Sequence, residues 1–183
     1  DTYFHGGYLM QLFLDSSANK IKEARNIHQL DIKQLRTPLT RYRKWGGQWG
    51  LDNGAYSGLD VDTWSRMVDD ANEDEDCVFV VVPDCVGDRA ATNQMWNKYK
   101  EQVWHSKRCY VLQDGDEPLP AWDEFSAMFL GGTDDFRIRP STYEILKEAK
   151  ARGKWVHIGR VNTPRNITRW YDLADSFDGS GIA

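Results

Sequence analysis

An α/β fold on a parallel sheet is predicted, closing as a compact but incomplete (β/α)8 TIM-type barrel of about seven strands. The run Val78-Phe79-Val80-Val81-Val82 is β-branched and aromatic throughout, the pattern of a strand buried on both faces in a parallel sheet. It stops at Pro83-Asp84-Cys85-Val86-Gly87-Asp88, and other apolar runs stop in the same way. Gly50-Leu51 meets Asp52-Asn53-Gly54-Ala55-Tyr56, Tyr110-Val111-Leu112 meets Gln113-Asp114-Gly115, and Ala127-Met128-Phe129-Leu130 meets Gly131-Gly132-Thr133-Asp134-Asp135. Ligands of parallel α/β folds sit beyond the carboxyl ends of the strands, so chemistry is expected there. Strand-like and helix-like segments also alternate along the chain; an open doubly wound sheet is the second choice of fold.

In order, Tyr8 to Leu14 reads as a first strand. Asn19 to Gln34 reads as an amphipathic helix, with Ile21, Ala24, Ile27 and Leu30 at helical spacing. Arg36, Arg41, Arg43 and Lys44 interleave with Tyr42 and Trp45, a mixture that suits phosphate contact and base stacking and equally suits a solvated loop with aromatic anchors. Asp60 to Glu73 is a helix entered through Asp62 as N-cap and packed by Trp64, Met67 and Val68. The acidic run Glu73-Asp74-Glu75-Asp76 is a solvated turn. A helix over Ala90 to His105, the strand Cys109 to Leu112, and an irregular connection at Pro118, Pro120 and Trp122 follow. After the strand ending at Gly131 come the helix Ser141 to Arg152 closed by Gly153, the strand Trp155 to Ile158 with its exit Gly159-Arg160-Val161-Asn162, and a helix from Pro164 to Leu173. The glycine turns match neither a Walker loop nor a dinucleotide fingerprint.

At 183 residues and 40% hydrophobic, the chain can bury one core as a single domain over 1–183. Its formal charge of −5 offers no global attraction to nucleic acid, so such a partner needs a local basic surface. Cys77, Cys85 and Cys109 lie in or beside apolar strands without a Cys-x-x-Cys pair, which predicts buried thiols in a reducing cytosol rather than disulfides or zinc. No signal peptide or bilayer-length run is present, which predicts a soluble protein without membrane contact. The chain opens on Asp1 and stops at Ala183 after a glycine-rich segment, as a fragment truncated at both ends would.

The strand-end phrases Asp52-Asn53-Gly54-Ala55-Tyr56, Pro83-Asp84-Cys85-Val86-Gly87-Asp88, Leu112-Gln113-Asp114-Gly115, Leu130-Gly131-Gly132 and Phe177-Asp178-Gly179 occur in one order. In order and spacing they resemble the tRNA-guanine transglycosylase superfamily, from roughly Leu9 to Gly181. Trp49 to Gly58 and Gly153 to Asn162 are more similar to its compact phage and bacterial branch, the DNA 7-deazaguanine transglycosylase-like proteins. The resemblance implies a bacterial or phage-infected host cytosol, a DNA partner with tRNA as the alternative, a free 7-deazaguanine base, and no required cofactor; oligomerisation is left open. It also implies that Asp178 is the nucleophile attacking the anomeric carbon and holding the sugar covalently. Asp52 matches the general acid/base. Asp84 would accept from the guanine edge, Gln113 and a backbone N–H of Gly131 or Gly132 would donate to the purine carbonyl, and Tyr56 would stack on the flipped base.

Read singly, Asp52 in Asp-Asn-Gly and Asp178 before Gly179 are equally ordinary turn residues; only the ordered set selects catalysis. Arg41, Arg43, Lys44, Arg160 and Asn162 are the candidate nucleic-acid contacts, with a structural role weighed evenly for Arg160 and Asn162. His157 and His28 are expected to be hydrogen-bonded core residues. The tRNA enzymes carry a zinc insertion beyond the nucleophile, so zinc enters only if residues past Ala183 supply ligands. Asp114 stands where those enzymes tend to have glycine, and Thr133 replaces a more apolar neighbour. The expected activity is exchange of guanine in DNA for a 7-deazaguanine base, with exchange on tRNA or a non-catalytic nucleic-acid-binding subunit as alternatives.

Overall fold

The computed structural model describes residues 10–179. Tyr8 and Leu9 of the expected first strand, and Ser180 and Gly181 at the other end, lie outside the described residues. The sheet is a closed parallel barrel of eight strands in sequence order. They are β1 (Gln11–Leu14), β2 (Ile32–Arg36), β3 (Trp49–Leu51), β4 (Cys77–Val81), β5 (Arg108–Leu112), β6 (Ala127–Leu130), β7 (Trp155–Ile158) and β8 (Ser176–Asp178). The described helices are α1 (Ala18–His28), α2 (Val61–Glu73), α3 (Arg89–Tyr99), α4 (Asp134–Arg137), α5 (Pro140–Ala151) and α6 (Pro164–Trp170). The fold is thus TIM-like, with no α-helix between β2 and β3 or between β5 and β6.

The strand missed in the sequence is β2. The expected helix from Asn19 to Gln34 ends at His28, where Gln29 turns left-handed at φ 55° and its N–H bonds the Arg25 carbonyl. Of the apolar residues that suggested a longer helix, Ile21 is fully buried whereas Ile27 and Leu30 are exposed. β2 escaped notice because its buried side chains include Lys33 and Gln34, so it carries neither an apolar run nor a clean alternation. His28, expected in the core, is exposed.

The basic aromatic stretch takes the place of the helix missing after β2. It returns alongside that strand: Arg36 Nε donates to the Tyr42 carbonyl at 2.8 Å and Gln34 Nε2 to the Arg43 carbonyl at 2.9 Å. The N-cap of α2 is Asp60, not Asp62; its carboxylate accepts from the Thr63 N–H at 3.0 Å and the Thr63 hydroxyl at 2.7 Å. Helices α3 and α6 stop at Tyr99 and Trp170, short of the expected His105 and Leu173. The acidic run is more than a solvated turn. Asp74 accepts from Trp49 Nε1 at 3.0 Å and pairs with Lys44 Nζ at 2.5 Å. Partial burial opposes ionisation, but the Lys44, Asp76 N–H and Trp49 donors outweigh it and hold Asp74 at about 2.

Alternation along the strands sorts the core into two layers. Phe13, Leu35, Phe79, Val81, Cys109, Val111 and Ala127 form the cluster that fills the barrel. Val80, Tyr110, Leu112, Val156 and Ile158 join the outer cluster with helical Ile21, Trp64, Val68, Trp96 and Leu146. Each such fully buried side chain contributes roughly 1.5–3 kcal/mol, and the buried Trp64 indole N–H finds the Val81 carbonyl at 3.1 Å. Cys77 and Cys109 are buried as expected, while Cys85 is only partly so.

Gly50 faces the inner layer because nothing larger fits. A Cβ there would lie 2.6 Å from the Phe79 ring. Gly50→Ala should therefore destabilise the barrel by about 1–3 kcal/mol through overpacking, read as a lower urea midpoint with an unchanged slope. An unaltered midpoint would show that Phe79 can move aside.

Candidate active site

The carboxyl ends of the strands open into a cavity of about 560 Å³, within the range of small-molecule sites. Phe13, Leu35, Val81, Val111 and Phe129 supply apolar lining, and Asp15, Asp52, Asp84 and Asp178 bring carboxylates to it. The pocket also collects Asn53, Tyr56, Gln113, Gly131, Gly132, Arg160 and Asn162. Residues from distant parts of the chain meet because strand alternation continues one step past the strand, as Phe13 leads to Asp15, Gly50 to Asp52, Val111 to Gln113 and Phe129 to Gly131, and because on β8 itself it leads from Ser176 to Asp178.

Asp84 sits in a buried amide frame. Asn53 Nδ2 donates to Asp84 Oδ1 at 2.7 Å and to the Val82 carbonyl at 2.9 Å, and Gln113 Nε2 donates to Asp84 Oδ2 at 2.6 Å. Burial pushes the Asp84 carboxyl up, and the two amide donors act against that. Each carboxylate oxygen keeps further acceptor capacity toward the cavity. Asn53 was not singled out in the sequence as a site residue, although it follows Asp52 directly.

The backbone N–H groups expected to meet a purine carbonyl are engaged within the protein, and Gln113 gives one of its two amide hydrogens to Asp84. Gly132 N–H and Gly87 N–H both donate to Gln113 Oε1 at 2.8 Å, and Gly131 N–H donates to the Leu112 carbonyl at 3.1 Å. What these glycines supply is room: a Cβ on Gly131 would lie 2.6 Å from Gln113 Nε2. Asp114 and Thr133, the departures from the family pattern, bond each other. The Thr133 N–H and hydroxyl reach the Asp114 carboxylate at 2.8 and 2.6 Å, tying the exits of β5 and β6.

Asp178, on β8, is held from two sides. Its Oδ1 accepts from the Arg160 N–H at 3.0 Å, and its Oδ2 lies 2.7 Å from His157 Nε2. Arg160 reaches it from a left-handed backbone at φ 56°, a strained conformation for a non-glycine residue. The next N–H, of Val161, bonds the Asp178 carbonyl at 2.6 Å. His157 is fully buried, as expected, but its bond to a pocket carboxylate was not foreseen. Ser176, His157 and Asp178 look like a hydrolase triad in composition; the buried Ser176 cannot act as its nucleophile.

Asp52 has the opposite environment. Burial first, then the charges of Asp178 and Asp84, push its carboxyl up to about 7 against hydrogen bonds from the Asn53 and Gly54 N–H groups. Asp15, missed because the first strand was ended at Leu14, accepts from the Thr40 hydroxyl at 2.9 Å. Burial and then repulsion from Asp178 raise its carboxyl, opposed by that hydrogen bond.

At the mouth, Tyr56 is 70% exposed, and the Arg160 guanidinium lies 5.0 Å from its ring centroid. Arg160 also donates to the Gly132 carbonyl at 2.6 Å. Exposed Leu39 and Val86 complete this rim. The remaining basic candidates are not brought together with it. Arg41, on the loop after β2, is exposed and bonds the carbonyl of the pocket residue Thr37 through its N–H. Arg43 is exposed beside β2. Lys44 is neutralised by Asp70 at 2.7 Å and Asp74 at 2.5 Å, outside the pocket lining.

Among the described residues, no group of His, Cys, Asp and Glu is placed to hold a metal ion, and no helix is long and apolar enough to cross a membrane. Comparison with models of known protein families and with curated proteins yields no match.

Because Asp52 is pushed from its ordinary 3.8 to about 7, the folded state keeps the proton more tightly than the unfolded chain. Stability is therefore greatest below about pH 4 with respect to this group and is lost as pH rises through about 7. Asp52→Asn, which mimics the protonated form, should be more stable than wild type at pH 8, on the order of a few kcal/mol. The gain should fade toward pH 4 in urea titrations, and a gain independent of pH would refute the shift.

Proposed function

We propose that the chain is a nucleic-acid guanine transglycosylase, exchanging guanine in DNA for a 7-deazaguanine base through a covalent aspartyl-sugar intermediate. The observation that carries this reading is a pair of carboxylates with opposed environments in one pocket. Asp178 is oriented by the Arg160 N–H and the His157 imidazole, while Asp52 is pushed up to about 7 and can carry a proton near neutrality.

Attack by Asp178 on the anomeric carbon forms a C–O bond as the bond to guanine N9 breaks. The electron pair leaves with the purine, and Asp52 supplies the proton. In the second half, ionised Asp52 takes the N9 proton of the incoming base; N9 then attacks the anomeric carbon and releases Asp178. Asp84, gripped by Asn53 and Gln113, accepts from the ring N–H and amino group of a guanine-like edge. The choice of DNA rests on the resemblance to the compact phage and bacterial branch. The rim of Tyr56, Leu39 and Val86, with Arg160, suits an extruded base and its adjoining phosphate.

The decisive assay is release of labelled guanine from DNA, and in parallel from tRNA, on addition of a 7-deazaguanine base. Wild type should release guanine and form a sugar adduct on Asp178; Asp178→Asn should do neither while keeping its fold. Near-normal turnover by that variant would remove Asp178 as the nucleophile, and an inert wild type would favour a non-catalytic binding subunit.

Placement of the basic residues separates their contributions to DNA binding. Arg41→Gln, at an exposed position on the loop after β2, should reduce the slope of log affinity against log salt by about one unit, the effect of losing one phosphate contact. Lys44→Gln should leave the slope at its wild-type value, since Asp70 and Asp74 already neutralise that lysine. Equal effects of the two substitutions would contradict this division.

A further inference from the structure

Beneath the pocket, a chain of hydrogen bonds runs into the barrel from Asp178. His157 Nε2 lies 2.7 Å from Asp178 Oδ2, His157 Nδ1 lies 2.7 Å from Ser176 Oγ, and Trp155 Nε1 lies 2.8 Å from the same Ser176 oxygen. Alternation on β7 and the parallel pairing of His157 with Ser176 bring these groups together. Trp155 lines a separate depression with Lys150, Lys154 and Asp175. The chain thus links residues that line two separate depressions.

Its direction follows from donor chemistry. An indole N–H can only donate, so Ser176 Oγ must accept from Trp155. The serine hydroxyl keeps its own hydrogen to give, and His157 Nδ1, 2.7 Å away, is placed to accept it. With Nδ1 accepting, the neutral imidazole carries its hydrogen on Nε2 and donates it to Asp178. Aromatic rings limit the imidazole's movement: the centroids of Phe129, Phe79 and Phe13 are 4.8, 5.2 and 5.7 Å away. Both His157 and Ser176 are fully buried.

We propose that Trp155, Ser176 and His157 form a directed hydrogen-bond chain that makes His157 an Nε2–H donor to Asp178, a positioning residue for the carboxylate. As a function this rests on the exchange reading given above; as a statement of hydrogen order it can be tested without activity. The His157 ring itself forms no bond to substrate. It fixes one carboxylate oxygen while the Arg160 N–H fixes the other, so Asp178 presents its remaining lone pairs at a constant angle to the cavity.

The first measurement is side-chain nitrogen NMR on the folded wild-type protein. A protonated Nε2 with an unprotonated Nδ1 is expected, and Trp155→Phe, which deletes the directing donor, should give a mixture of tautomers. The second is the rate of adduct formation on Asp178. His157→Leu should lower it on the order of 10–100-fold, the loss of one hydrogen bond to a charged group, with the KM for the incoming base unchanged. His157→Gln, which returns an N–H near the Nε2 position, should recover most of the rate. A ring protonated at Nδ1 in wild type would overturn the proposal whatever the activity, as would a folded His157→Leu protein with the wild-type rate. A wild type that releases no guanine but shows the Nε2–H signal would sink the exchange reading and support the hydrogen order.

Discussion

Everything at the pocket depends on how the barrel closes. β8 has only three residues, yet it pairs with β7 on one side and with β1 on the other. That double pairing sets Ser176 opposite His157 and Asp178 opposite Phe13. Asp178 therefore leaves the sheet directly above a buried histidine. The turn after β7 folds over it, and consecutive N–H groups of Arg160 and Val161 reach its side chain and carbonyl. Arg160's left-handed backbone is tolerated because those bonds, the Gly132 carbonyl and the Tyr56 ring all hold the residue.

Several carboxylates around one cavity would repel each other if all were ionised and alike. The fold gives each a different setting. Asp84 is bonded by amide donors, Asp178 meets an imidazole and a backbone N–H, Asp15 has the Thr40 hydroxyl, and Asp52 has only nearby backbone N–H groups against burial and two negative neighbours. Asp52, pushed up to about 7, can carry a proton near neutrality. Apolar flooring from Val81, Val111 and Phe129 sharpens these differences, since charges in a low-dielectric setting interact strongly.

Among the described residues the barrel achieves this with fewer α-helices than strands. Between β2 and β3 a non-helical segment covers the sheet by bonding its carbonyls to Gln34 and Arg36 of β2. Lys44 at its far end meets acidic residues of α2 and at the end of that helix. Basic residues that looked like one nucleic-acid surface in linear order are thus divided between exposed Arg41 and Arg43 and ion-paired Lys44. Arg41 is exposed on the loop after β2, and Lys44 is absorbed by the scaffold.

Strand class, parallel order and the acidic and glycine-rich strand ends were legible because each is a local property: an apolar run, a stop, a polar cluster beyond it. Asp52, Asp84 and Gln113 stand at such ends, Asp178 could be named only through the resemblance of the ordered set, and the structure brings all four into one cavity. β2 was not legible. Buried Lys33 and Gln34 are stabilised by Gln48, Ser16 and Arg43, and no periodicity announces such partners. The same limit concealed Asp15, the bond between His157 and Asp178, the engagement of the Gly132 N–H by Gln113, and the neutralisation of Lys44. Residue type and spacing specify which groups a chain carries and which local element holds them. The partner each group meets, and so its ionisation and orientation, is decided only when strands distant in sequence come into register.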